Sequence, residues 1–139
     1  MTGTIKKRLK RQLSVLIVED QKYNLLVLNK MLERMGISVI TAENGLEALE
    51  ICSSHDDIDL VLMDIKMPVM DGFTATTAIR AREAAEKLPH IPVVALTAGA
   101  FAEDRQQCLD AGMDDFLAKP VVFEELRDIL ARYMPTSAR

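Results

Sequence analysis

The fold is decided by a short apolar run that ends in two acids, Ser14-Val15-Leu16-Ile17-Val18-Glu19-Asp20. Similar runs follow at 38–42, 60–63, 93–97 and 115–118. Segments with helical spacing of apolar residues come after each run, at 23–35, 46–52, 73–87, 103–111 and 123–133. Five strand–helix pairs in a row predict an α/β fold, in which one doubly wound parallel sheet of five strands carries five helices on its two faces.

Local signals agree with these boundaries. The first, third and fourth runs are apolar in their interiors rather than alternating, as expected for strands that are covered on both faces. Gly36 and Gly112 follow helical segments, at the place where a left-handed residue commonly ends a helix. We therefore expect the first helix to end near Gly36 and the fourth near Gly112.

Length and composition restrict the class of protein. The chain has 139 residues, of which 49% are apolar and 27% charged, a size that fits one hydrophobic core and excludes a two-domain enzyme. Its uninterrupted apolar runs are only a few residues long, whereas a membrane span needs about 20. No apolar segment follows the basic N-terminus, so a signal peptide is not predicted and we expect a cytoplasmic domain without membrane contact. Cys52 and Cys108 fall on different predicted helices and are expected to be thiols rather than a disulfide.

The net charge of -4 conceals an uneven distribution. Residues 1–12 contain five basic and no acidic side chains, so residues 13–139 hold the remaining 12 basic against 21 acidic ones, a balance of -9. An acidic body argues against direct nucleic-acid binding, which needs a basic face. We divide the chain into a basic leader or linker at 1–12, a domain at 13–134 and a tail at 135–139. The leader suits either a solvated linker or contact with an anionic partner.

Three carboxylates stand where predicted strands end: Glu19 and Asp20 after the first strand, and Asp64 after the third. In open parallel sheets, ligands bind in the crevice outside these strand ends. Two carboxylates about 4 Å apart repel by roughly 4 kcal/mol at an effective dielectric of about 20, so a cluster requires raised pKa values or a cation. An all-oxygen set favours Mg²⁺ over zinc. Taken singly, each acid also fits a solvated loop residue or a helix cap.

Two further polar residues follow strands at the same edge. Thr97 ends the fourth run, and Lys119 follows the fifth. A metal ion and a lysine can neutralise the negative charge on phosphoryl oxygens, and a hydroxyl can donate a hydrogen bond to a further oxygen. A carboxylate can then accept the phosphoryl group. The combination predicts a site for phosphoryl transfer.

Four segments, in this order, resemble the receiver domains of two-component response regulators. They are Val15-Leu16-Ile17-Val18-Glu19-Asp20, Leu62-Met63-Asp64-Ile65-Lys66-Met67-Pro68-Val69-Met70-Asp71-Gly72, Ala95-Leu96-Thr97-Ala98, and Ala111-Gly112-Met113-Asp114-Asp115-Phe116-Leu117-Ala118-Lys119-Pro120. The segments at 19–24 and 42–48 look most like receivers of hybrid sensor histidine kinases. The resemblance implies a flavodoxin-like sheet of strand order 2-1-3-4-5. It also implies a phosphorelay in which a histidine kinase or a histidine phosphotransfer domain is the partner.

The resemblance also implies roles for individual residues. Asp64 would be the phosphoacceptor. Glu19, Asp20, Asp64 and the backbone carbonyl of Lys66 would hold Mg²⁺.

Further roles concern the phosphoryl group and the response to it. Thr97 and Lys119 would contact phosphoryl oxygens, and Phe116 would be the switch aromatic. The Lys119–Pro120 peptide bond would be cis. Phosphorylation would change the face formed by the fourth helix, the fifth strand and the fifth helix, which permits a phosphorylation-linked dimer.

Several alternatives stay open. After Tyr133 too few residues follow for a DNA-binding module. We therefore expect either a stand-alone regulator or the receiver segment of a hybrid kinase. In the second case the receiver would be the cytoplasmic part of a membrane-anchored sensor kinase. Such a domain phosphorylates and dephosphorylates itself slowly, so its status as an enzyme is undecided. An aspartyl-phosphate phosphatase is disfavoured because Lys66 stands where a second aspartate is needed. A flavin-binding module and a degenerate receiver scaffold are the remaining alternatives.

Overall fold

The computed structural model describes residues 12–98 and 102–134. The predicted tail at 135–139 and the leader apart from Gln12 lie outside these residues. The strands are β1 Ser14–Val18, β2 Ser38–Ala42, β3 Leu60–Asp64, β4 Val93–Thr97 and β5 Asp115–Ala118. The helices are α1 Lys22–Arg34, α2 Gly45–Ser54, α3 Gly72–Glu86, α4 Ala102–Ala111 and α5 Phe123–Tyr133.

All five strands pair in parallel, in the order β2-β1-β3-β4-β5. The predicted fold class is therefore confirmed, and the strand order is the flavodoxin-like one. Strand order reverses between β1 and β3, where Val18 lies opposite Met63. The crevice beyond these two residues is the expected place for a ligand.

The element boundaries differ from the predicted ones by one or two residues in several places. Strand β3 extends to Asp64, because this residue pairs with Leu96 of β4. Helix α2 begins one residue early, since the Asn44 side chain accepts a hydrogen bond from the backbone N–H of Glu47 at 2.9 Å and caps it. Gly36 and Gly112 have φ values of 74° and 98° and follow α1 and α4 as predicted.

Two apolar layers cover the sheet. Leu16 and Val18 of β1 pack in the layer beneath α2, α3 and α4, whereas Val15 and Ile17 pack in the layer with α1 and α5. All four side chains are fully buried. Cys52 and Cys108 are also buried, and no disulfide joins them. Within the described ranges, no helix has the length and apolar character that crossing a membrane requires.

Candidate functional site

The three predicted carboxylates converge at the carboxyl ends of β1 and β3. Glu19, Asp20 and Asp64 each offer an oxygen that lies within 4.8 Å of those of the other two. Glu19 and Asp64 are buried, with 1% and 6% of their surface exposed, whereas Asp20 is exposed. The cluster is therefore open to solvent on one side and closed on the other.

Lys119 reaches this cluster from the end of β5. Its Nζ lies 2.9 Å from Glu19 Oε1 and 3.0 Å from Asp64 Oδ1. Its backbone N–H donates to the carbonyl oxygen of Thr97 at 2.7 Å, which anchors the residue to the end of β4. One ammonium thus partly neutralises the two buried acids.

Burial and mutual contacts shift the pKa values of Glu19 and Asp64 in opposite directions. Burial, together with hydrogen bonding to Glu19 and the charge of Glu19, raises the pKa of Asp64 to about 7, although Lys119 acts in the opposite direction. Burial also acts to raise the pKa of Glu19, but hydrogen bonding to Asp64 and the nearby Lys119 outweigh it and hold that pKa below its usual value. The pKa of Lys119 is raised, because its contacts with the two acids outweigh its burial. Of the two buried acids, Asp64 therefore holds a proton more tightly than Glu19 does.

Glu19 is the test of whether these residues fit a metal ion. Its Oε1 is buried and, among the described residues, has no donor aligned for a hydrogen bond, although Lys119 lies within ion-pair distance. Its Oε2 accepts only a long bond of 3.4 Å from the backbone N–H of Gln21. A buried carboxylate with unfilled acceptor capacity, beside two others, is a donor set that hard divalent cations such as Mg²⁺ prefer. The residues therefore fit a magnesium ion.

The other predicted site residues lie around this cluster. Lys66 lies two residues after the end of β3, and its side chain is exposed. Thr97 is buried at the end of β4, and its hydroxyl donates to the Leu117 carbonyl of β5 over 3.4 Å rather than to an acid. The Lys119–Pro120 peptide bond is cis.

Phe116, the predicted switch aromatic, is half-buried on β5 against the layer of α2, α3 and α4. The guanidinium of Arg105 on α4 covers the ring at 4.7 Å from its centroid. The two residues are eleven positions apart along the chain, and the folded arrangement of α4 beside β5 brings them together. The sequence carries no spacing signal for this cation–π contact.

The sequence also gave no indication of an apolar surface, formed in part by Tyr23 and Val121, beside the acids. A shallow cavity of about 140 Å³ adjoins Glu19 and Lys119. Tyr23 of α1 and Val121 before α5 line its outer wall. The helical spacing of α1 predicted an apolar stripe toward the core, but it gave no sign that Tyr23 stands 75% exposed beside the site.

Comparison with known proteins agrees with this geometry. A family model described as the response regulator receiver domain matches residues 15–131. The sensor protein GacS of Pseudomonas syringae is 42% identical over 125 residues, which cover 90% of this chain and 14% of that protein. This chain thus corresponds to a small part of that relative's length.

Two solved structures are similar. The receiver domain of a sensor histidine kinase from Pseudomonas aeruginosa, with a magnesium ion coordinated in its active-site cleft, is 40% identical with a TM-score of 0.78 and covers 88% of this chain and 98% of its own. A co-crystal structure from Saccharomyces cerevisiae joins a histidine phosphotransfer protein to the receiver domain of its downstream response regulator. It matches at 32% identity and a TM-score of 0.85, over 92% of each chain.

The family match extends from β1 into α5, and so takes in every strand of the sheet. It also includes the acids and the lysine that meet at the strand ends. By sequence and by fold, the chain belongs to the response regulator receiver domain family and is similar to the receivers of hybrid sensor histidine kinases.

Proposed function

We propose that Asp64 accepts a phosphoryl group from a phosphohistidine of a partner protein, in a reaction that depends on Mg²⁺. The observation that carries this proposal is the contact of the Lys119 ammonium with Asp64, at 3.0 Å, inside a cluster of three carboxylates. In the transfer, an Asp64 oxygen forms a bond to phosphorus while the bond from phosphorus to the histidine nitrogen breaks. The electron pair of that bond stays with the imidazole.

The burial of the three acids distinguishes their roles. The Glu19 side chain has no exposed surface, so a donor cannot reach it, whereas 8% of the Asp64 side chain is accessible. Glu19, Asp20, Asp64 and the Lys66 carbonyl would hold the metal. When bound, Mg²⁺ neutralises negative charge on the carboxylates and on phosphoryl oxygens. It therefore favours the ionised Asp64 that attack on phosphorus requires.

Lys119 and Thr97 supply donors for the phosphoryl oxygens. Once Asp64 is phosphorylated, Lys119 keeps a negative partner, because the oxygens of the acyl phosphate replace the carboxylate charge. The Thr97 hydroxyl can leave the Leu117 carbonyl at low cost, since a 3.4 Å contact is a weak hydrogen bond. Movement of Thr97 toward the phosphoryl group, together with rotation of the Phe116 ring, would change the surface of α4, β5 and α5. The same surface is where a phosphorylation-linked dimer would form.

The partner would be a histidine kinase or a histidine phosphotransfer domain. The yeast co-crystal structure, which pairs a receiver with such a phosphotransfer protein, supports this choice. Tyr23, Leu26 and Val122 expose 75%, 51% and 45% of their surfaces on α1 and just before α5. Tyr23 also lines the cavity next to Glu19, so an apolar partner surface seated there would lie beside the acceptor.

We place the domain in a hybrid sensor kinase on the cytoplasmic side of the membrane. The 42% identity to hybrid signal transduction histidine kinase L of Dictyostelium discoideum, over 121 residues, supports the hybrid context. Two buried cysteines without a disulfide agree with a reducing compartment. A stand-alone regulator would use the same site.

The test is chemical labelling. The protein is incubated with Mg²⁺ and acetyl phosphate, and the acyl phosphate is trapped with borohydride and located by mass spectrometry. We expect modification of Asp64 that EDTA abolishes, and that Asp64→Ala removes while Asp56→Ala, a change of an exposed acid at the other end of β3, retains. Undiminished labelling of Asp64→Ala would refute the acceptor role. Steady release of phosphate from simple phosphomonoesters would instead favour a phosphatase.

A further inference from the structure

The start of α3 packs directly against the backbone of the acceptor residue. Gly72, the first residue of α3, is buried, and its N–H donates to the Ile65 carbonyl at 2.8 Å. A side chain has no space at this position, since a Cβ on Gly72 would overlap the backbone carbonyl oxygen of Asp64 and lie 3.0 Å from Met63 Cγ. Because residue 72 has no side chain, α3 can begin in contact with the end of β3.

The first turn of α3 is held in place on the helix side of this contact. Thr76 is fully buried, and its hydroxyl donates to the Gly72 carbonyl at 2.8 Å. Asp71 caps the helix, because its side chain accepts a hydrogen bond from the Thr74 N–H at 2.7 Å. Ala75 is also buried and packs in the apolar layer. A displacement of Gly72 is therefore opposed by the rest of the turn.

The loop between β3 and α3 is held at a second point. The Met70 carbonyl accepts a hydrogen bond from the Gly45 N–H at 3.0 Å, which ties the loop to the start of α2. On the strand side, Asp64 pairs with Leu96 of β4. Because α3 and the loop are both held, we expect the end of β3 to take part of any shift that a methyl group on residue 72 causes. The Asp64 carboxylate would then move with its own backbone.

The hydrogen bond of Gly72 also orients the peptide that precedes the proposed carbonyl ligand. Because a peptide group is planar, the bond from Gly72 to the Ile65 carbonyl fixes the plane of the peptide between Ile65 and Lys66. The two backbone torsions of Lys66 alone separate this plane from the Lys66 carbonyl. Gly72 thus acts on two of the proposed metal ligands, the Asp64 carboxylate and the Lys66 carbonyl.

We propose that Gly72 is a positioning residue that sets the spacing of the metal ligands and so favours Mg²⁺ over Ca²⁺. The role of Gly72 rests on the proposed Mg²⁺ site. Mg²⁺ requires nearly ideal octahedral geometry at about 2.0–2.1 Å, whereas Ca²⁺ accepts oxygens at about 2.3–2.6 Å in flexible arrangements. Displacement of Asp64 and Lys66 relative to Glu19 and Asp20 should therefore weaken Mg²⁺ binding more than Ca²⁺ binding.

The test is titration of the isotope-labelled protein with MgCl2 or CaCl2, followed by the amide NMR signals of Glu19 and Asp64. We expect Gly72→Ala to lower the Mg²⁺ affinity about tenfold or more, as changes to residues that orient metal ligands do, and the Ca²⁺ affinity by a smaller factor.

Gly36→Ala is the matched control for the loss of a glycine. Gly36 has a φ of 74°, so alanine strains the backbone there. Apart from its chain neighbours, none of the described residues lies within 4 Å of the added Cβ. Gly36→Ala should therefore destabilise the protein in urea unfolding while both ion affinities stay unchanged.

A second pair of variants adds no atom near Asp64. Thr76→Val removes the hydroxyl that donates to the Gly72 carbonyl. Thr77→Val, the control on the same helix, removes a hydroxyl that donates to the Phe73 carbonyl at 2.9 Å. We expect the Mg²⁺ affinity of Thr76→Val to be about threefold lower than that of Thr77→Val. This pair decides the role of Gly72 if Gly72→Ala does not fold.

The role of Gly72 would be overturned if folded Gly72→Ala bound Mg²⁺ as tightly as Gly36→Ala does, or if its Mg²⁺ and Ca²⁺ affinities fell by the same factor. If Gly72→Ala is unfolded, equal Mg²⁺ affinities of Thr76→Val and Thr77→Val would overturn it. The absence of Mg²⁺ binding in the unmodified protein would instead refute the proposed metal site, and the role of Gly72 with it. Failure of the metal site and failure of the Gly72 role alone are thus distinguished.

Discussion

The Nζ of Lys119 lies 3.0 Å from Asp64 Oδ1, so a residue after β5 and the last residue of β3 are held together across the end of β4. The same ammonium is 2.9 Å from Glu19 after β1. The sheet therefore brings the ends of three strands together around the Lys119 ammonium. Removal of this ammonium should affect the chemistry of Asp64 more than the stability of the fold.

Lys119→Met is expected to slow labelling of Asp64 by acetyl phosphate about tenfold or more at pH 7, where a factor of ten corresponds to about 1.4 kcal/mol. Lys119 lowers the pKa of Asp64, so its loss raises that pKa and leaves less of the ionised nucleophile. Mg²⁺ binding, measured by calorimetry, should persist because the carboxylates remain. Lys30→Met serves as the control for loss of one positive charge. An unchanged labelling rate would contradict the contribution of Lys119.

Asp64→Asn is expected to stabilise the metal-free protein in alkaline solution. The folded pKa of about 7 exceeds the ordinary value of 3.8, so the folded state binds this proton more tightly than the unfolded state does. The contribution of Asp64 to stability is therefore greatest at low pH and falls as pH rises from about 4 to about 7. Asn lacks this titration and should add about 1 to 3 kcal/mol at pH 8, with a smaller gain at pH 5. Urea unfolding in EDTA at the two pH values measures the effect, and equal gains at both would argue against it.

Mg²⁺ should stabilise the unmodified protein more than it stabilises Asp64→Asn. A ligand that binds only the folded state raises the free energy of unfolding by about 2.7 kcal/mol at a concentration 100 times its dissociation constant. We expect the unmodified protein to gain stability from Mg²⁺ and Asp64→Asn to gain much less. Asp56→Asn, remote from the cluster, should respond like the unmodified protein. A similar gain in all three proteins would place the metal elsewhere.

Val69 carries strain in the loop between β3 and α3. Its φ is 70°, and the Met70 N–H donates to the Pro68 carbonyl at 2.7 Å, closing a tight turn around it. A left-handed conformation costs a β-branched residue about 1–2 kcal/mol. Gly removes this strain, and the larger loss of backbone entropy that Gly suffers on folding offsets only part of the gain. Val69→Gly should therefore stabilise the protein by about 0.5 to 1 kcal/mol in urea unfolding. Val122→Gly is the control: that exposed residue has φ of -94°, so it should show no gain.

Arg105→Ala tests the contact over the switch aromatic. An exposed guanidinium over an aromatic ring contributes about 0.5–1 kcal/mol, so this loss of stability is expected in urea unfolding. Arg127→Ala on α5 is the matched control, because its guanidinium lies 4.0 Å from the exposed carboxylate of Asp128. Phosphorylation of Asp64 should proceed in both variants. Equal stability of the two variants would mean that the contact over Phe116 contributes no measurable stability.

The sequence predicted what depends on periodicity and strand ends. Apolar runs located β1 and β4 to the residue, and parallel topology then brought Glu19, Asp64 and Lys119 to one edge. The extension of β3 to Asp64 was missed because a charged residue ends the apolar run, while its pairing with Leu96 is a property of the assembled sheet. The sequence also does not predict which of several possible partners a polar side chain contacts.

His90 illustrates the same limit. It is exposed, yet its Nε2 lies 2.7 Å from Asp114 Oδ1. Asp114 in turn accepts from the Val93 N–H and from Arg80. These residues are far apart along the chain, and no short-range pattern connects them.

Arg80 is the centre of that network and provides the largest expected loss of stability. Its guanidinium donates to Glu83 at 2.9 Å, to Asp114 at 2.8 Å, and to the carbonyls of Ile91 and Gly112 at 2.8 Å each. Glu83 is buried, so Arg80→Met leaves a carboxylate without its cation and should cost about 3–5 kcal/mol.

Arg82→Met on the same helix is the control for Arg80→Met. Its ion pair with Glu86 is partly exposed, so the change should cost about 1 kcal/mol, most of it from the lost bond to the Cys52 carbonyl. Urea unfolding at pH 7 compares the two variants. Similar losses would mean that the Arg80 network is no more stabilising than the two contacts of Arg82.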